Sequence, residues 1–141
     1  MLWLMVAMTA CSLPWKKSLS PAQMSGHALC VAYFEDAGEQ HRAQIEARGL
    51  IDEAHWESVE ENKLASGMSL CAMHAAWGDD YDKREYTSVL GPTTQYIYDR
   101  GGYREAYIYV KDGGVTSLST FDRAEPGGRK GLFSLVPVSN L

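Results

Sequence analysis

The 141 residues carry 18 acidic against 13 basic side chains, a formal charge of -5, with 45% hydrophobic and 22% charged residues. That balance describes one folded globular domain with tails and excludes a disordered polyelectrolyte. It also excludes a phosphate-tracking surface: no basic stripe runs along the chain, Lys16-Lys17 and Arg129-Lys130 lie outside the periodic segments, and no nucleic-acid partner is expected.

Residues 1–11, MLWLMVAMTAC, form an uninterrupted apolar run ending in small residues and a cysteine, the pattern of a secretory apolar region before its cleavage site. The run is too short to span a bilayer. Met8-Thr9-Ala10-Cys11 looks like a lipobox, which makes Cys11 the candidate lipidation site. A plain hydrophobic N-terminal strand with a core cysteine is the competing reading. Residues 12–20 read as a tether rich in serine, lysine and proline.

The domain proper is expected over residues 21–122. Ser20-Pro21 opens a helix, with Met24, His27, Ala28, Val31 and Phe34 at helical spacing and Gly26 as a weak point inside it. A second helix is predicted from Glu39 to Arg48, ended by Gly49, with Arg48 suiting the helix dipole. Asp52 caps a third, Glu53 to Asn62, whose Glu57, Glu60 and Glu61 form a solvated face. Gly67-Met68-Ser69 makes a tight turn and a new cap for a fourth, Leu70 to Trp77, which is apolar all round and stopped by Gly78.

Four strands follow, at Glu85–Leu90, Thr93–Asp99, Arg104–Lys111 and Val115–Phe121, joined by Gly91-Pro92, Gly101-Gly102 and Asp112-Gly113. If Arg100 pairs with Tyr103 across a two-residue turn, one sheet face holds Tyr96, Tyr98, Tyr107, Tyr109 and Leu118. The other then holds Ile97, Ala106, Ile108, Val110, Val115 and Phe121. With the aliphatic face under the helices, Tyr96, Tyr98, Tyr107 and Tyr109 form an exposed partner-contact surface. The alternative puts the tyrosine face itself in the core. The fold class is α+β, with N-terminal helices on one face of a three- to four-stranded antiparallel meander. Residues 123–141 form a C-terminal tail, turn-rich and then apolar, in which Pro137 restricts any strand to an edge.

With Cys11 set aside, Cys30 and Cys71 remain as an even pair, each on a predicted helix. His27-x-x-Cys30 and Cys71-x-x-His74 place each Cys/His pair on one helical face. Buried free thiols, a disulfide and a Cys₂His₂ zinc site are all compatible with that spacing. Hydrolase, nucleotide-binding and metalloprotease motifs do not occur, and His41 and His55 read as rim histidines. No enzyme activity, cofactor or resident metal is expected.

Gly67-Met68-Ser69, Trp77-Gly78, Gln95-Tyr96-Ile97-Tyr98 and Asp112-Gly113-Gly114-Val115, within residues 45–120, resemble the domain of small outer-membrane lipoproteins of the SmpA/OmlA, or BamE-like, group. The resemblance implies two helices on a three-stranded antiparallel sheet and a lipid anchor at the periplasmic face of the outer membrane. Ser12 after the cysteine fits export there. It also implies protein-protein interaction with other envelope proteins, some of them in outer-membrane protein assembly. The extra N-terminal helical region, the fourth strand and the long tail depart from that pattern, so no partner-contact residue is carried over from it. Two other readings compete: a soluble intracellular phage- or plasmid-type protein, with its cysteines reduced or binding zinc, and a proteinaceous inhibitor of a secreted enzyme.

Overall fold

The computed structural model describes residues 19–102 and 104–122. A 3₁₀ turn at Pro21–Gln23 leads into α1 (Gly26–Glu35) and α2 (Glu39–Ala47). A second 3₁₀ turn, Glu53–His55, runs into α3 (Trp56–Glu60), and α4 (Leu70–Trp77) follows. The sheet is an antiparallel meander in the order β1 (Asp82–Ser88), β2 (Gly91–Asp99), β3 (Arg104–Lys111), β4 (Gly114–Asp122). The α+β class with a covered sheet face is therefore established.

The helix expected from Ser20 onward is two elements. Ser25 caps α1, its Oγ accepting the Ala28 N–H at 3.2 Å, so Gly26 starts the helix instead of weakening its interior. The residues that α1 buries are Leu29, Cys30 and Tyr33, while Phe34 and His27 are exposed. The expected stripe is thus out of phase, because a helix this apolar around its whole circumference offers no contrast to fix its inner face. Arg48 does more than end α2: its guanidinium donates to the carbonyls of Met24, Pro21 and Ala22, tying the first turn to the end of α2.

The fourth helix has the bounds that its sequence dictates. Ser69 Oγ accepts the Ala72 N–H at 3.1 Å and donates to the Leu50 carbonyl at 2.8 Å, so one hydroxyl caps the helix and anchors the preceding loop. Residues 67–69 also run along β4. The Gly67 N–H donates to the Val115 carbonyl and the Val115 N–H donates to the Met68 carbonyl, both at 2.8 Å. Ala72, Met73, Ala75 and Ala76 are buried because α4 lies between α1 and the sheet. One continuous core results, running from Leu29 and Ile45 in the helices to Ile108 and Val115 in the strands.

Register decides which side chains join that core. Asp112-Gly113 is a two-residue turn with positive φ at both positions (51° and 78°), as expected, and pairs Lys111 with Gly114. The second hairpin differs. The Arg100 N–H donates to the Arg104 carbonyl at 2.9 Å, so three residues, not two, close the loop, and Tyr96 pairs with Ile108 and Tyr98 with Ala106. That slip of one residue exchanges faces on one strand relative to the other. Tyr96 and Tyr98 point with Ala106, Ile108 and Val110 toward the helices, while Ile97, Tyr107 and Tyr109 lie on the opposite face. The first hairpin also turns elsewhere than expected: Ser88 pairs with Gly91, and Val89-Leu90 form the turn.

A bulge in β4 completes the inner face. Tyr109 pairs with Ser117 but Val110 with Val115, leaving Thr116 as the extra residue, its Oγ1 donating to the Tyr109 carbonyl at 3.0 Å. Val115 and Leu118, an odd number of positions apart, therefore both reach the core.

Tyr98 links the layers through a buried hydrogen bond, its hydroxyl donating to the Gly78 carbonyl at 2.8 Å. Gly78 adopts φ 76°, ψ -162°, a conformation open essentially to glycine, and turns the chain out of α4 toward β1. Tyr98→Phe strands that buried carbonyl and is expected to cost about 1–3 kcal/mol. Urea unfolding measures it; a wild-type midpoint would show that the bond does not hold the layers.

Candidate functional site

Two regions carry the chemistry-bearing residues: the seam between α1 and α4, and the end of the first hairpin.

At the seam the two helices run antiparallel, and residues at the same three-residue spacing meet in two rungs. Cys30 and Cys71 form a disulfide with Cα atoms 5.4 Å apart. That outcome is one of the three that the spacing allowed. One turn along, the rings of His27 and His74 meet edge to face at 4.5 Å between centroids. His27 Nε2 lies 3.5 Å from Asp79 Oδ2. His74 Nε2 lies 3.3 Å from the Tyr81 hydroxyl, and the His74 ring stacks on Tyr81. Tyr81 in turn meets Tyr96 edge to face, so the seam continues into the sheet.

Burial sets the protonation here. His74 is buried, and the loss of solvent, with His27 nearby, lowers its pKa from 6.5 to about 4, so the ring is neutral at neutral pH. Burial likewise raises the hydroxyl pKa values of Tyr81, Tyr96 and Tyr98. Among the described residues no group of three or more His, Cys, Asp or Glu side chains is placed to hold a metal ion.

The four tyrosines expected to share one contact surface do not. Tyr96 and Tyr98 are 5% and 3% exposed under α4, with Trp77 set edge to face on Tyr98 at 5.4 Å. Tyr107 and Tyr109 are half-buried on the other face, where Tyr107 donates to Glu105 and Tyr109 accepts from Gln95 Nε2. The cause is the three-residue second hairpin. Cys11 lies outside the described residues, as does the C-terminal tail. Glu57, Glu60 and Glu61 are exposed as expected, with Glu60 accepting from Arg42, whose guanidinium also lies 4.5 Å over the Trp56 ring. His41 and His55 are half-buried.

Sequence reasoning placed the first turn at Gly91-Pro92 and so missed the exposed apolar end of the first hairpin. Every residue of β1 is exposed, and the turn presents Val89, fully exposed, and Leu90 at 75%, with Tyr86 beside them. A groove of about 540 Å³ opens alongside, lined by Leu70, Tyr86, Thr94, Tyr96 and Val110. Ser88 shapes the turn by accepting the Leu90 N–H at 3.1 Å, and Lys111 Nζ donates to the Leu90 carbonyl. The available signal was the apolar pair Val89-Leu90 ahead of Gly91-Pro92, which reads as strand until the turn is placed on it.

Among the described residues no helix is long and apolar enough to cross a membrane. No protein family, curated protein or solved structure matches the chain.

Two outcomes follow from the seam. The disulfide spans a sequence separation of 41, and replacing both cysteines by serine is expected to lower stability by about 2–4 kcal/mol in urea unfolding. For His74 the sign follows from proton binding. Below pH 6.5 the unfolded chain takes up a proton that the folded chain refuses until about pH 4, so stability falls on acidification through that window. Unfolding midpoints of wild type and His74→Gln across the same range test this: the variant should show the shallower dependence, and equal slopes would remove His74 as the cause.

Proposed function

We propose that the chain is a non-enzymatic interaction module of the bacterial envelope, held by lipid on Cys11 at the periplasmic face of the outer membrane. It binds an extended, apolar segment of another envelope protein at the β1–β2 hairpin. The observation that carries the binding half is the exposed apolar end of that hairpin, Tyr86, Val89 and Leu90, beside a groove. Apolar side chains gathered on a surface and rimmed by polar ones mark interaction sites. An edge strand adds the unpaired backbone groups of β1, which suit an extended segment.

The compartment is supported by the Cys30–Cys71 disulfide, a bond that persists in oxidising surroundings, together with the lipobox-like Met8-Thr9-Ala10-Cys11. The likeness to SmpA/OmlA proteins supports the same reading. Against catalysis stands the chemistry of the perturbed groups: His74, Tyr81 and Tyr98 pack against one another in the helix-sheet seam, and at the groove Tyr86 and Tyr96 have hydroxyl pKa values that burial raises, which keeps them protonated. The groove's Glu85 is tied to Lys83 at 2.7 Å.

Intact mass of the native, membrane-extracted protein is expected to show an acylated species beginning at Cys11. An unprocessed Met1 form in the soluble fraction would overturn the envelope assignment. A photo-crosslinker at position 90, in intact cells, should give a discrete adduct with a second envelope protein that Val89→Asp abolishes while the thermal melt is retained. An adduct equally strong from position 53, on the helical side, would overturn the hairpin as the contact.

A further inference from the structure

A pocket opens on the helix side of the sheet where α4 ends, at the opposite end of the strands from the Val89-Leu90 turn. We propose that it binds a small aromatic carboxylate, the rings against Trp77 and the carboxylate on Arg100.

The hollow begins with one small residue. Tyr98, Ala106 and Thr120 form a cross-strand row, in which Ala106 takes the place that Ile108 and Val110 hold further along the inner face of β3. Beyond Trp77, Gly78 turns the chain out of α4, so the helix covers this row no further. What remains is a space of about 470 Å³, with Ala106, Leu118 and Thr120 from the sheet, Trp77 from the helix, and Arg100 and Arg104 from the hairpin. A largely apolar hollow with a few placed polar groups is the usual form of a small-molecule site.

Arg100 is pre-positioned in it. Its guanidinium carbon lies 4.1 Å from the centre of the Trp77 ring, and the attraction of a cation to the ring face restrains a side chain that is otherwise exposed. Trp77 is itself fixed twice, its indole N–H donating to the Asn62 carbonyl at 2.8 Å and its ring meeting Tyr98 edge to face. Stacking uses the face of a guanidinium and leaves its in-plane N–H groups to a carboxylate, which they bind through two parallel hydrogen bonds. The nearest acids are turned to other donors. Asp99 accepts the Gly101 N–H at 2.8 Å, and Glu105 accepts the Tyr107 hydroxyl at 2.7 Å on the opposite face of the sheet.

Arginine alone would suit many anions, and the rest of the pocket narrows the class. Ala106 and Leu118 present only carbon, and the half-buried indole presents a ring, so the charge must be carried on an apolar, preferably flat, body.

Isothermal titration of naphthoate into the full chain tests the site, with naphthamide as the same rings without the charge and acetate as the charge without the rings. Naphthoate is expected to bind once per chain and to shift the Trp77 indole N–H resonance while the Leu90 amide stays unmoved. Naphthamide and acetate should each bind at least about tenfold more weakly, because a charge-assisted pair and a buried ring each contribute a factor of that order. Arg100→Gln and Thr120→Phe, both at exposed positions, should keep the wild-type melt. The first is expected to weaken naphthoate at least about tenfold, and the second to abolish binding by filling the hollow. Equal affinity for naphthoate and naphthamide, a comparison that needs no variant, would overturn the proposal. So would binding that Arg100→Gln leaves unchanged, a shift at Leu90 in place of Trp77, or no saturable heat.

Discussion

An eight-residue helix with no polar face can persist only where protein surrounds it, and α4 is that helix. Its Leu70–Trp77 sequence forces a middle position, with α1 on one side and the sheet on the other. From that position the other contacts follow. Ser69 must cap the helix inside the protein and uses the same hydroxyl to hold Leu50. Tyr98 must satisfy the Gly78 carbonyl at its far end. The preceding residues 67–69 must find backbone partners and take them from β4. A helix this short has little stability of its own, so its neighbours hold it by packing and by these few directed bonds.

Much of this frame is legible in the residues. The bounds of α4, the bounds of β3 and the Asp112-Gly113 turn all have strong local causes: a serine cap with a glycine stop, a β-branched and aromatic run, and a dipeptide suited to positive φ. What local signals do not carry is parity. Gly101-Gly102 permits a two- or a three-residue loop, and the choice between them moves Tyr96 and Tyr98 from the surface to the core. Likewise α1 is apolar all round, so its inward face is set by the Cys30–Cys71 contact rather than by periodicity. The first hairpin is the third case, because Val89-Leu90 have strand propensity and only the Ser88–Gly91 pairing makes them a turn.

The candidate sites divide in the same way. The His-x-x-Cys and Cys-x-x-His spacings, read on two helices, anticipate that the four residues share a seam; only the antiparallel packing shows that like meets like, sulfur with sulfur and ring with ring.

The strand β1 departs from the rest of the molecule in being exposed along all seven residues, with Asp82, Lys83, Arg84 and Glu85 in succession. Little apolar surface is lost when it leaves β2, so its free energy of local opening sits far below that of the core strands. Its backbone amides should then exchange with solvent long before those of β3, which is paired on both sides. An edge that opens readily yet carries charges of both signs is kept from indiscriminate pairing with other sheets. Frequent detachment and guarded reattachment make this margin of the protein the one best able to trade its own strand contact for another chain's.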